Sequence, residues 1–315
     1  MNIFVTGGTG FIGRHLVRAL IREEHFVYVL TRDKIKIEKL DNAKVIPIEG
    51  CLENPQSYRT VFDRNIDIVY HLGAIPGQKL GIKETDYQKI NILGTQKLLE
   101  ISRQRIKKFI FCSSINAISD DNFQDDLYGK SKLESEKLVL KETSFETIIL
   151  RPAIVYGPGD INAMFLKLCQ MIQRKKFFLL GSGEKIMPII YISDLITDFL
   201  KVATISQNGQ TFEIISPEII STKEITELIA RNLQVKLPKI HIPIWLARSV
   251  ATLFWPIPFF FRKDPLITNH RIDILTKPKT LDGKKAQAEF NFTPQVKFAD
   301  GIRITIDWYA RNGFL

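Results

Sequence analysis

The sequence predicts a doubly wound α/β fold, a parallel sheet covered by helices on both faces, with a smaller and mostly helical region behind it. Three observations carry that prediction. Short apolar, β-branched runs alternate with helical patterns through the first half of the chain. The first of these runs feeds directly into a glycine-rich turn, Thr6-Gly-Gly-Thr-Gly-Phe-Ile-Gly13, that opens a helix. After Arg151 the alternation loosens into helical and proline-containing stretches.

Taken in order, the pattern predicts a strand at 3–5, a helix at about 11–23, and strands at 26–30, 44–48 and 66–72. A long helix over about 84–105 follows, then a strand at 108–112, a helix at 128–141 and a strand at 147–150. Beyond these come a glycine-proline loop at 156–160, a helix, a turn at Gly181-Ser-Gly183 and a strand at 189–192. A helix at 194–203 and a strand around 211–215 return to the main sheet. The expected division is a Rossmann-like dinucleotide-binding domain over 1–152 plus about 187–215, and a substrate-binding region over about 153–186 and 216–315. No internal repeat is visible.

At 315 residues the chain is long enough for a large core and one or two domains. Hydrophobic residues at 45% and charged residues at 25% describe an ordinary globular protein. No basic-then-apolar leader precedes the first strand. Cys51, Cys112 and Cys169 form no C-x-x-C pair and no metal-ligand spacing. The expectation is a cytoplasmic protein with free thiols and no metal. The net charge of +10 is spread along the chain, apart from short groups such as Arg174-Lys175-Lys176. Without an aromatic-interleaved basic tract it predicts no nucleic-acid partner, only a basic surface that suits an anionic small molecule.

Four motifs carry chemistry. Gly7, Gly10 and Gly13 permit a tight turn and close backbone approach, and the helix that follows offers free amides and positive potential to a pyrophosphate. The second strand ends Val29-Leu30-Thr31-Arg32. Thr31 stands where a carboxylate would hold ribose hydroxyls, while Arg32 offers a cation to a 2′-phosphate, with Arg14 a second candidate; this favours NADP over NAD. Ser113 and Ser114 close the strand at 108–112, at the end of the sheet that faces a ligand. In Tyr128-Gly-Lys-Ser-Lys132 the four-residue offset places phenol and ammonium one helical turn apart on one face. The ammonium is expected to draw the phenol pKa down and make Tyr128 a proton donor and acceptor.

These motifs, with His71-Leu-Gly-Ala74, Asn91 and Gly94-Thr95, Arg151-Pro-Ala-Ile-Val-Tyr-Gly-Pro-Gly-Asp160 and Tyr191-Ile-Ser-Asp-Leu195, resemble the extended short-chain dehydrogenase/reductase family, the NAD(P)-dependent epimerase/dehydratase group. The match runs in order through the first two hundred residues and more weakly to Trp308-Tyr309. The resemblance implies a catalytic triad of Ser114, Tyr128 and Lys132. Lys132 would also bind the nicotinamide ribose. It implies a cofactor site at Gly7, Gly10, Phe11, Ile12, Gly13, Arg32, Leu52, Leu72, Ala74, Asn91 and Pro152, completed by Tyr128 and Lys132. Asn91 would buttress the site, Pro152 would lie near the nicotinamide, and Asp194 would anchor a helix start. A homodimer is the oligomer the family suggests.

The activity implied is hydride transfer at a secondary alcohol or ketone, by family label on a nucleotide-sugar. The sequence departs from that label in places. Cys51 stands in Gly50-Cys-Leu52 where an adenine-binding aspartate is usual. Ile154 and Met187 stand where epimerases carry an asparagine and a diphosphate-binding arginine, and neither can hydrogen-bond a phosphate. The interval from Ser114 to Tyr128 is also short. These departures are closer to relatives resembling 3β-hydroxysteroid dehydrogenases and dihydroflavonol reductases, which makes an apolar alcohol or ketone the alternative substrate. A non-catalytic NADP-binding regulatory or assembly protein is a further alternative. The stretch 242–261 is nearly uncharged apart from Arg248, and Arg262-Lys263 follow it. With Pro256 and Pro258 inside it, it reads as a lid helix and an apolar loop packed on the core, with peripheral membrane contact through 242–263 as the alternative.

Overall fold

A computed structural model of the chain describes residues 1–34, 42–77, 81–117, 126–161, 164–238, 241–253, 272, 281–291 and 293–315. Its main sheet contains β1 (Asn2–Thr6), β2 (Phe26–Thr31), β3 (Val45–Glu49), β4 (Ile68–His71), β5 (Lys108–Cys112), β6 (Glu146–Pro152) and β10 (Gln210–Ile214). All are parallel, in the order β10-β6-β5-β4-β1-β2-β3.

The strands are apolar at nearly every position because both faces of the sheet are covered. Alternate residues enter different cores. Ile3, Val5, Ile68, Tyr70, Ile110, Ile148 and Leu150 point to one, whereas Phe4, Val69, Phe109, Phe111 and Ile149 point to the other. The first core is closed by α1 (Phe11–Arg22), through Leu16, Val17 and Leu20. The second is closed by a helical run made of α2 (Glu84–Tyr87), a π-turn (Gln88–Ile92) and α3 (Leu93–Ser102), together with α4 (Leu127–Leu140). Each buried Leu, Ile or Val contributes about 1.5–3 kcal/mol to this packing.

The chain runs outward from β1 to β2 and β3, then crosses back to lay β4 on the other side of β1. That reversal opens a crevice between the carboxyl ends of β1 and β4, where a doubly wound sheet takes its ligand. The turn after β1 and Leu72–Ala74 after β4 form its two lips. The Glu136 carboxylate of α4 receives two hydrogen bonds from Arg151 of β6, at 2.9 and 2.6 Å, which fixes the helix to the sheet.

The strand at Ile189–Tyr191, β9, lies outside the main sheet; it pairs with β7 (Ile154–Tyr156), because Pro152 ends the β6 ladder and the chain leaves the sheet there. One expectation is corrected. The long helix is interrupted by the π-turn around Asn91. Among the described residues, the helices that follow β7 are α5 (Met164–Gln173), α6 (Ile192–Thr204), α7 (Thr222–Asn232), α8 (Ile244–Leu253), α9 (Lys284–Phe290) and α10 (Phe298–Arg311). Two short strands, β8 (Leu179–Leu180) and β11 (His241–Ile242), pair with each other. Of the stretch 242–261, residues 254–261 lie outside the described residues, as do Arg262 and Lys263. Among the described residues no helix is long and apolar enough to cross a membrane. On α8, Ala247 and Ala251 pack on Ile272, while Trp245 remains 69% exposed and Leu246 40%.

Candidate active site

The glycine turn is built so that backbone fills the space a side chain would need. Gly7 has φ +72°, and a Cβ there would lie 2.7 Å from the Gly73 nitrogen and the Leu72 carbonyl carbon. A Cβ on Gly13 would collide with the Gly7 carbonyl. Gly10 donates to the Gly7 carbonyl at 3.0 Å and starts α1 without a side-chain cap, so the amides around Phe11 and Ile12 are not closed off by the protein's own side chains. A pyrophosphate fits this cradle. Leu72 and Ala74 lie half-buried across the crevice, and Leu52 is buried beneath it, against Gly73 and Gly94.

At the adenosine end Thr31 is buried and turned onto its own loop, accepting from the Asp33 amide at 3.1 Å. Arg32 is exposed, with no ion pair among the described residues. The Cys51 amide is held by Ser57 Oγ at 3.3 Å. Arg14 is spent elsewhere. It donates to the Gly159 carbonyl at 3.1 Å, and His15 meets the Pro158 carbonyl at 3.0 Å, so the first helix is tied to the loop after β7.

Ser114 follows β5, its Oγ accepts from the Asn116 amide at 3.1 Å, and its hydroxyl faces the Tyr128 phenol closely enough to lower that phenol's pKa. The approach is possible because residue 129 is glycine: a Cβ there would strike the Asn116 carbonyl of the 3-10 turn Ile115–Ala117. Asp126 caps α4 by accepting from the Gly129 amide at 3.0 Å and also accepts from Asn116 Nδ2 at 2.8 Å, which locks that turn to the helix start. Gly77 and the Tyr87 ring, 6.4 Å away between centroids, confine the Tyr128 ring from the other side.

Lys132 lies one turn further along α4 and is buried. Its ammonium donates to the Cys112 carbonyl at 2.7 Å and sits 4.7 Å above the centre of the Phe111 ring. Here the expected pKa effect is corrected. Burial raises the Tyr128 phenol above its ordinary value, the neighbouring Cys112 adds to that, and the Ser114 hydroxyl offsets only part. The Lys132 charge is directed at the strand end rather than the phenol, and burial lowers its own pKa. The Cys112 thiol is pushed up to about 11 by burial, so it is no nucleophile at neutral pH.

Asn91 lies in the π-turn with all of its side chain in use. It accepts from the Ile75 amide at 2.8 Å and donates to the Ile75 carbonyl at 3.2 Å and to Ser131 Oγ at 2.9 Å. It ties the lip after β4 to α4, and the irregular helix is what brings it there. Several residues that hold the site received no role from the sequence: Thr6, Thr95, Ser131 and Ser135. Their hydroxyls are buried between elements, a placement that pattern alone does not show. His71 appeared in a motif but without a function.

On the far side, β6 ends at the buried Pro152. The backbone continues through Ala153, which donates to Ile214 at 2.9 Å, and Ile154, which donates to Pro188 at 3.1 Å. Pro188 also lines a cavity of about 770 Å³. Its apolar walls include Ile186, Met187, Ile215, Ile219, Ile244 and Leu281, and its cations among the described residues are Lys185 and Lys284. Asp194 does not cap its own helix. It accepts from the Gln295 and Val296 amides at 3.0 and 3.4 Å, holding the segment that leads into α10.

A sequence model of the NAD dependent epimerase/dehydratase family matches residues 3–216. Among curated relatives, a farnesyl-dihydroquinoline-oxide ketoreductase of Stigmatella aurantiaca is 23% identical over 96% of this chain and 95% of its own length. The decarboxylating sterol-4-alpha-carboxylate 3-dehydrogenase of Mus musculus is 25% identical over 96% and 89%. The UDP-glucose 4-epimerase of Vibrio cholerae is 27% identical over 91% of each. Among solved structures, UDP-glucuronic acid 4-epimerase of Bacillus cereus with NAD superposes at a TM-score of 0.77, with 24% identity and 99% of each chain covered. The UDP-glucose 4-epimerase of Thermotoga maritima gives 0.76, with 22% identity and 99% of each covered. The fold of this chain is therefore theirs, and with the glycine turn, Ser114, Tyr128 and Lys132 arranged around one crevice the chain belongs to the NAD dependent epimerase/dehydratase family, enzymes of the extended short-chain dehydrogenase/reductase type.

Proposed function

We propose that the chain catalyses reversible hydride transfer at a secondary alcohol or ketone, with Tyr128 as the proton-transferring group, Ser114 orienting the reacting oxygen and Lys132 holding the cofactor ribose. The observation that supports this most directly is the juxtaposition of Ser114 and Tyr128 at the carboxyl end of β5, with Lys132 one turn further on, beside the crevice between β1 and β4. Residues 1–152 plus about 187–215 would bind the cofactor, and about 153–186 and 216–315 the substrate. When bound, nicotinamide takes or returns the hydride. In oxidation Tyr128, as phenolate, takes the alcohol proton while the carbinol C–H bond breaks with its electron pair. In reduction Tyr128 gives that proton back. A phenol that burial holds protonated is in the state needed for reduction. Ionising it requires the Lys132 ammonium to turn from the Cys112 carbonyl towards the ribose and phenol. The exposed Arg32 supports NADP over NAD.

The family label favours a nucleotide-sugar substrate. One observation favours a second reading, an apolar ketone or alcohol: the cavity beside Pro188 has Ile186, Ile215, Ile219, Ile244, Leu281 and the buried Met187 on its walls, next to a polar rim that includes Lys185, Glu218, Asp282 and Lys284. The two readings separate when purified protein is mixed with UDP-hexoses or with apolar ketones while NADPH absorbance is followed. Epimerisation without net cofactor turnover would rule out the reductase reading. An unchanged rate in Tyr128→Phe would rule out the triad.

A further inference from the structure

A line of buried hydrogen bonds joins the glycine turn to the helix that carries Tyr128, and its proton positions follow from the chemistry of the groups. Thr95 Oγ1 lies 2.5 Å from the Asn91 carbonyl oxygen, which can only accept, so the Thr95 proton points there. Thr95 Oγ1 must then accept from His71 Nε2, 2.9 Å away, and that nitrogen carries the ring proton. Burial holds His71 neutral, with its pKa lowered to about 3. A neutral imidazole leaves its other nitrogen bare, so Nδ1 accepts from Thr6 Oγ1 at 2.6 Å. Thr6 Oγ1 accepts in turn from the Gly73 amide at 3.0 Å. Every link points the same way, from Gly73 through Thr6, His71 and Thr95 to Asn91.

The line continues into the catalytic helix. Asn91 Nδ2 donates to Ser131 Oγ at 2.9 Å, and Ser131 Oγ donates to the Tyr128 carbonyl at 2.8 Å. Thr6, His71, Asn91, Thr95 and Ser131 are each 2% exposed or less, so water cannot substitute for a lost partner. Thr6 immediately precedes Gly7 on one lip of the crevice, and His71 immediately precedes Leu72 on the other. The opposite tautomer would either set two protons between His71 and Thr6 or leave the Thr6 proton without an acceptor, and would leave Thr95 facing a lone pair.

We propose that His71 is a positioning residue which, in its Nε2–H form, joins the pyrophosphate turn and the Tyr128 helix into one rigid unit, so that an anion seated on the turn is registered at the Tyr128 ring. The proposal rests on the reading of Gly7–Gly13 as a cofactor turn and of Tyr128 as the proton-transferring group. It assigns His71 no contact with substrate or cofactor.

The probe that tests it is ADP, which carries the pyrophosphate but no nicotinamide and so does not itself reach Tyr128. With ring-labelled tyrosine the chain gives eight tyrosine signals, and the Tyr128→Phe variant identifies the one to follow. The expected result is that ADP shifts the Tyr128 signal in the native protein and in Thr95→Ser, which keeps the hydroxyl. In Thr95→Val the shift should fall to less than about half, while the ADP dissociation constant stays within about twofold of native. An unchanged shift in Thr95→Val, or binding of ADP with no shift in the native protein, overturns the coupling while leaving the cofactor turn intact. Failure of ADP to bind overturns the cofactor-turn reading and the coupling with it. One measurement needs no variant: the imidazole nitrogen signals of His71 in the native protein. These should report a proton on Nε2, a bare Nδ1 and no titration between about pH 5 and 8. A proton on Nδ1, or titration in that range, overturns the proposal.

Discussion

The two ends of the site are built from different materials. Around the cofactor crevice, contacts are backbone against backbone: Gly7 against Leu72 and Gly73, Gly13 against Gly7, Gly129 against Asn116. Between them run buried hydrogen bonds in which each donor has one acceptor. Around the cavity beside Pro188, aliphatic and polar side chains face open space, and three of the lining residues, Ile186, Ile219 and Ile244, are substantially exposed. The first end demands particular atoms at particular positions. The second sets volume and a mixed polarity. The chemistry can thus be specified by this structure more closely than the substrate.

Substitutions can break or sharpen that contrast, and the largest effect belongs to the chemical centre. Tyr128→Phe should lower turnover by about 10²–10⁴-fold, the usual weight of a general acid–base group, with NADPH affinity unchanged. Absorbance assays alongside fluorescence binding check both halves. Gly13→Ala should cost about 1–3 kcal/mol of stability and most of the cofactor affinity, because no side chain can move aside for the new methyl. Urea unfolding with and without NADPH measures it.

The seam between the ends supplies a pH test. Asp198 on α6 is fully buried, has no hydrogen-bond partner for either oxygen among the described residues, and is pushed by burial up to about 8. Its folded-state pKa is raised above the ordinary value of 3.8, so the native state holds its proton longer than the unfolded chain and stability is lost as pH rises from about 4 to 8. His71 acts in the opposite sense: its folded pKa is depressed from 6.5 to about 3, so its effect appears as pH falls below 6.5. The difference between native protein and Asp198→Asn isolates the carboxyl. The variant should match native stability near pH 4 and exceed it by about 1–3 kcal/mol at pH 8, read from urea midpoints.

Smaller effects belong to the two rims. Arg32→Ala should weaken NADPH about tenfold and leave NADH unchanged, roughly the loss of one charge-assisted hydrogen bond. Equal losses for both cofactors would remove the preference for NADP. Ile219→Ser, at a residue 79% exposed, should change stability by no more than about 0.5 kcal/mol. It should raise KM for an apolar ketone about threefold, without affecting a UDP-hexose or NADPH.

Much of the fold was legible because the strands are buried on both faces and therefore read as unbroken apolar runs. The strand at Lys108–Cys112 was placed to the residue. The glycine turn was legible because close backbone contact leaves a compositional mark. The strand at Ile189–Tyr191 was legible as a strand but its partner was not, because an apolar triplet does not say which neighbour it pairs with. The π-turn was invisible because Gln88–Ile92 has ordinary helical composition and its irregularity serves tertiary bonds made by Asn91. The direction of the Tyr128 shift was misread for a related reason. Sequence spacing put Lys132 on the right face, but the Cys112 carbonyl that takes its charge comes from another strand.

Where a methyl would meet backbone, as at Gly7, Gly13 and Gly129, no second substitution nearby can make room for it. Around the large cavity the neighbours are side chains that can move, among them the exposed Ile186, Ile219 and Ile244. Descent with modification should therefore run unevenly through such a chain. Lineages can exchange one substrate for another by small steps along the cavity wall, each viable by itself, while the hydride-transfer machinery is inherited nearly intact.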